Sequence, residues 1–202
     1  LMTLAYSLQL IDEIDEAMAI INKQEAKPIE AISLEAFCYL KKSDIENYIR
    51  VSKVLLKTIT KIDLNSSENI LSIPVTLHIN NRINDIEVAD FLTDKEFETE
   101  ELKQLFTSVI HILKEKKTEE NIKVLQSIEN EILKLDYSIN FYIPYSYFVL
   151  EKWNLAIASF RKYISKEKES RDLFFYILAL DKSLSDNEEL LELLESWRNN
   201  FQ

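Results

Sequence analysis

Two histidines and one cysteine are the only imidazole and thiol groups in this chain of 202 residues, and they bound its chemistry. His78 sits in IPVTLHI, His111 in SVIHIL and Cys38 in AFCYL. Neither histidine belongs to an HExxH pattern or shares a metal-ligand spacing with the cysteine, so no metal is expected. Cys38 lies on an apolar helical stretch and reads as a small buried residue, because a reactive thiolate needs an electropositive, partly open setting. The acidic runs Glu98–Glu101 and Glu188–Glu195 read as solvated helix faces and as helix starts favoured by the macrodipole. No catalytic constellation and no cofactor site emerges, and the expectation is a protein that is not an enzyme. The densest cluster of binding-type side chains is NFYIPYSYF, Asn140–Phe148. Aromatic side chains of this kind anchor protein interfaces.

The elements that must carry these residues follow from composition. Apolar residues make up 47% of the chain, enough for a sizeable core, and the net charge is -11. A direct nucleic-acid partner and an anionic membrane surface are both disfavoured, since each calls for a concentrated basic face. One cysteine permits no internal disulfide, and with no signal-peptide pattern and no run of about 20 apolar residues a cytoplasmic location is expected. The chain opens Leu1-Met2-Thr3-Leu4, already in an apolar rhythm, and reads as an exposed N-terminal helix or a segment of a longer protein. Glycine is absent altogether. That excludes a P-loop, a dinucleotide fingerprint and the glycine-dependent hairpins of all-β folds. An all-α fold suits such a chain best.

A template recurs along it. EKWNLAIASF, Glu151–Phe160, superposes on DEIDEAMAII from Asp12: an apolar residue (Ile14, Trp153), alanine three later (Ala17, Ala156), then a bulky residue (Ile21, Phe160). Further copies start at Ser43, Asn84, Lys117 and Ser185 and place Tyr48, Ala89, Ile122 and Leu190 at the alanine position. The separations are 31, 41, 33, 34 and 34 residues. The long one predicts an insertion or loop near 58–73, around the polar TITKIDLNSSEN. A first helix is predicted before each copy: Leu1–Leu10, Ser33–Lys41, Thr76–Asn81, Leu102–Lys116, Ile143–Leu150 and Asp172–Lys182. Thr99 before Glu100 and Glu101, and the Ser185…Glu188 spacing, mark helix starts. Pro74 and Pro144 fall inside first helices, which should start late or kink. Ile73–Ile79 alternates enough to read as a strand instead.

A helix pair about every 34 residues resembles the tetratricopeptide repeat family, as six degenerate hairpins over residues 1–202. The likeness is best at Leu4, Ala5, Leu8, Ala17 and Ile21, and at Tyr147, Trp153, Ala156 and Phe160. It implies a single domain, an α-solenoid of antiparallel helix pairs, whose first helices line a concave surface for peptides or protein segments. In that register one inward column is Tyr6, Phe37, His78, His111, Tyr145 and Ala179, with Phe141, Phe148 and Phe175 alongside. The expected function is a protein- or peptide-binding scaffold or adaptor, its contact residues Tyr6, Phe37, His78, His111, Phe141, Tyr145, Phe148 and Phe175. The same side chains also suit packing between adjacent repeats. A second reading, resembling the peptide-responsive transcriptional regulators with tetratricopeptide-like sensing domains, requires a DNA-binding head upstream of residue 1.

Overall fold

The computed structural model describes residues 5, 7–9, 12–24, 26–114, 119–135, 138–163, 170–183 and 187–200. Among the described residues the chain is α-helical almost throughout. After a helical stretch at 5 and 7–9 come α1 (Ile14–Asn22), α2 (Ile29–Lys41), α3 (Ile45–Thr58), α4 (Leu64–Ile79), α5 (Val88–Leu92) and α6 (Glu100–Leu113). Then follow α7 (Glu119–Leu135), α8 (Tyr142–Val149), α9 (Trp153–Tyr163), α10 (Ser170–Ser183) and α11 (Asn187–Asn200). Short 3₁₀ turns stand at Ile83–Asp85 and Ser138–Phe141, and two strands of two residues, β1 (Lys61–Ile62) and β2 (Glu96–Phe97), make the one sheet.

The sequence reading has one domain; the structure divides into two compact units, Leu1–Ile62 with Thr76–Glu96 and Asp63–Val75 with Phe97–Gln202. In the first, α2 packs on α1 and α3, and α5 packs on α3. Its core includes Ala5, Ala17, Met18, Ile21, Ala31, Leu34 and Cys38. In the second, α6 packs on α7, α8 on α9 and α10 on α11; α8 also touches α6 and α10, and α9 touches α10. Leu102, Leu105, Phe106 and Val109 form the buried stripe of α6, at the three- and four-residue spacing of an amphipathic helix.

Helix ends follow local chemistry. Thr99 caps α6 as expected, its side chain accepting from the Leu102 N–H at 3.1 Å. Asp44 caps α3 through Asn47. Lys95 Nζ donates to the carbonyls of Leu56 and, at 2.6 Å, Ile59, and so satisfies the open end of α3. Four turns share one geometry. Asp12, Ser43, Asn81 and Glu151 have φ of 62°, 57°, 56° and 58°. Each N–H bonds the carbonyl three residues back: Gln9, Leu40, His78, Phe148. The next N–H then bonds the carbonyl five back: Leu8, Tyr39, Leu77, Tyr147. That double bond is the Schellman motif, normally built on glycine.

Several expectations are corrected. Ile73–Ile79 is helix, not strand, and residues 64–73 are not a loop but the first part of α4. Asp63 and Ser66 start that helix reciprocally: Asp63 Oδ1 accepts from the Ser66 N–H at 2.9 Å, and the Ser66 hydroxyl accepts from the Asp63 N–H at 3.1 Å. The third predicted first helix, Thr76–Asn81, is thus the tail of a helix of 16 residues, and Pro74 lies inside it without ending it. Proline there costs about 3 kcal/mol and deprives the Ile70 carbonyl of its donor; burial of Ile70, Leu71, Ile73 and Val75 accompanies it. Pro144 sits in the first turn of α8, where it is tolerated. Ala89 is exposed and α5 is five residues long. Counted from the turns, the residue five after Asp12, Ser43, Asn81 and Glu151 is Ala17, Tyr48, Ile86 and Ala156, and all four are buried. In the third segment the buried position equivalent to Ala17 is thus Ile86, not Ala89.

Candidate partner-binding surface

Four of the expected contact residues meet in the second unit. Phe141 ends the second 3₁₀ turn, Tyr145 and Phe148 are one helical turn apart on α8, and Phe175 faces them from α10. Phe141 stacks on Tyr145 at 5.2 Å between centroids, and Phe175 meets Tyr145 edge-on at 4.9 Å and Phe148 at 5.4 Å. Trp153, the first residue of α9, meets Phe148 at 5.2 Å, and Phe174 meets Phe175 at 5.3 Å. The rings form a ladder from core to surface. Phe141 and Tyr145 are buried, Tyr145 to 2% exposure; Phe148, Trp153 and Phe175 are half-buried; Phe174 is 48% exposed. Burial also holds the Tyr145 phenol above the usual tyrosine range. Phe141 and Tyr145 thus serve packing, and only the outer rungs of the ladder are open to solvent.

Beside Trp153 lies a pocket of about 300 Å³, lined by Glu151, Lys152, Trp153, Asn154, Leu155, Lys182 and Ser183. Two ammonium groups and one carboxylate make it locally positive on a chain of net charge -11. His111 belongs to a second cleft, of about 480 Å³ between α6 and α7, where it joins Gln104, Thr107, Asn121 and a Glu100–Lys103 pair 3.9 Å apart. That cleft offers hydrogen-bonding groups, Ser108 and Glu120 among them.

The remaining expected contacts are placed as follows. Phe37 on α2 is 41% exposed, with Lys41 Nζ 5.9 Å above its ring, and His78 on α4 is half-buried; both belong to the first unit. Tyr6 lies outside the described residues, as does Ser185 of the expected helix start. Cys38 is buried, and burial pushes its thiol pKa up, away from thiolate reactivity. Among the described residues no cluster of His, Cys, Asp and Glu could hold a metal, and no helix is long and apolar enough to cross a membrane.

Two polar clasps had no signal in the sequence reading. Glu129 of α7, nearly buried, accepts from the Ser159 hydroxyl at 2.5 Å and pairs with Lys162, both on α9. Arg161 of α9 and Tyr176 of α10 both donate to Glu189 of α11. The Arg161 hydrogen bonds hold the Glu189 carboxyl below the usual carboxylate range. Glutamate with Lys or Arg about 30 residues away is a pairing that only the fold can reveal. Neither a known family model, nor a curated protein, nor a solved structure matches this chain.

Proposed function

We propose that this chain is a non-enzymatic protein-binding scaffold built from tetratricopeptide-like hairpins, and that it takes a peptide segment on the outer rungs of the aromatic ladder. The observation that carries the reading is the ladder itself: a buried base of Phe141 and Tyr145 holds Phe148, Trp153, Phe174 and Phe175 open to solvent beside a pocket with Lys152 and Lys182. Rigid, pre-placed aromatic groups bind at low entropic cost, and anchors at the centre of an interface contribute 2 kcal/mol or more in typical cases, about 30-fold in affinity. The complementary segment carries an apolar anchor flanked by acidic residues. Repetition of the Schellman turn ahead of Ile14, Ile45, Ile83 and Trp153 supports the hairpin reading.

The test pairs capture from native lysate with melting curves for the wild type, Phe174→Ser and Lys152→Glu. A bound protein lost from both variants at unchanged melting temperature supports the surface. Retention of every bound protein by both variants removes it.

A further inference from the structure

We infer that the outer face of α11 docks a basic amphipathic helix of another protein. Helix α11 reads NEELLELLESWRNN. It packs on α10, and along it Glu189, Leu190 and Leu193 are half-buried, of which Glu189 carries the clasp to Arg161 and Tyr176. Farther round the helix Leu194 is 40% and Leu191 62% exposed. Leu191, Leu194, Glu195 and Arg198 follow the i, i+3, i+4, i+7 rule, so they form one stripe, and Glu192 flanks it; all five are exposed. The solvent-exposed side of a helix ordinarily carries polar residues, yet this one carries two leucines.

The shape of the stripe and its charge select the occupant. Fourteen residues give α11 a length of about 21 Å, enough to seat a second helix ridge-into-groove over its leucines. Glu192 and Glu195 border those leucines, and the chain as a whole carries a net charge of -11. A second copy of the chain would bring a second net charge of -11 against it, and like charges across an interface oppose docking. Lysines or arginines flanking an apolar stripe meet the carboxylates instead. This surface is independent of the aromatic ladder, because it uses no residue of α8, α9 or α10.

The test uses a labelled synthetic peptide of about 18 residues, long enough to hold a helix, with leucines on one face and lysines elsewhere. A second peptide of identical composition has its leucines scattered around the helix. Fluorescence anisotropy should show the wild-type chain preferring the patterned peptide by about tenfold or more, equivalent to about 1.4 kcal/mol. Leu191→Ser with Leu194→Ser should abolish that preference without changing the helical circular dichroism. Glu192→Gln with Glu195→Gln should weaken binding and flatten its salt dependence. Phe174→Ser should leave the preference intact, which separates this inference from the proposed function. Equal affinity for both peptides would show mere polyanion attraction and overturn the inference. So would sedimentation of the wild type as a dimer that the leucine substitutions dissolve, since the stripe would then belong to a second copy.

Discussion

Tyr145 and Phe148 stand one helical turn apart in the same ladder, and truncating each to alanine should have very different consequences. A fully buried aromatic side chain removes about 150–250 Å² from water, and at about 25 cal/mol per Å² that amounts to about 4–6 kcal/mol. Compactness of the unfolded chain lowers the figure by roughly a fifth, to about 3–5 kcal/mol, which is the usual range for aromatic-to-alanine changes in a core. Tyr145 meets this condition: it is 2% exposed and contacts Phe141 at 5.2 Å and Phe175 at 4.9 Å. Phe148 is half-buried, and its contacts are with Phe175 and Trp153. Roughly half the area is at stake there, so about 1.5–2.5 kcal/mol is expected. Urea unfolding followed by circular dichroism should therefore show a much larger loss of midpoint for Tyr145→Ala than for Phe148→Ala, at similar slope. Equal losses, or a loss below about 1 kcal/mol for Tyr145→Ala, would refute the assignment of Tyr145 to the core and return it to the contact surface.

Ala156 is completely buried on α9, so Ala156→Trp should lower the unfolding midpoint by the equivalent of about 1–3 kcal/mol; an unchanged midpoint would mean that no neighbour crosses there. Because the Glu189 carboxyl is held low by Arg161, its contribution to stability is complete above about pH 4.3 and disappears as the pH falls through the depressed folded value. Hydrogen exchange corrected for intrinsic rates should thus show α11 losing protection selectively in acid, by no more than about 1 kcal/mol for so open a pair, and Glu189→Gln should remove the pH dependence.

The ladder shows what a single sequence can and cannot place. Helical spacing put Phe141, Tyr145, Phe148 and Phe175 on one side of the chain, and the structure brings those rings together. Spacing alone left both groove and core open. The deciding feature was in the sequence nonetheless: YIPYSYFV carries no charged residue, and a helix that is apolar all round is a buried helix. Every residue from Phe141 to Tyr147 is buried, so the open rungs shift outward to Phe148, Trp153, Phe174 and Phe175. Phe174 went unremarked because its exposure depends on how α10 rotates against α8 and α9, which is a tertiary fact. The start of α4 was missed for the opposite reason. Asp63 and Ser66 form a cap, but the polar residues around them read as loop.

Register was the harder problem, and the missing glycines explain why. A left-handed residue costs an L-amino acid about 1–2 kcal/mol, so most chains mark a helix-ending turn with glycine. This chain has none and puts Asp12, Ser43, Asn81 and Glu151 there. Aspartate and asparagine tolerate the conformation; serine and glutamate carry no such signature. Without the punctuation, the third segment could be aligned only by resemblance, and NDIEVADF offered Ala89, which is exposed, where the turn geometry points to the buried Ile86. Each turn instead fixes its own register: two residues after the left-handed position comes Ile14, Ile45, Ile83 or Trp153, and three later comes a buried side chain. The turns fall 31, 38 and 70 residues apart, the last close to two repeats of 35. A left-handed residue at four equivalent places with no glycine points to packing of the flanking helices, more than to the residue's own preference, as what dictates the turn. The likeness among these four segments therefore resides in backbone geometry more firmly than in residue identity.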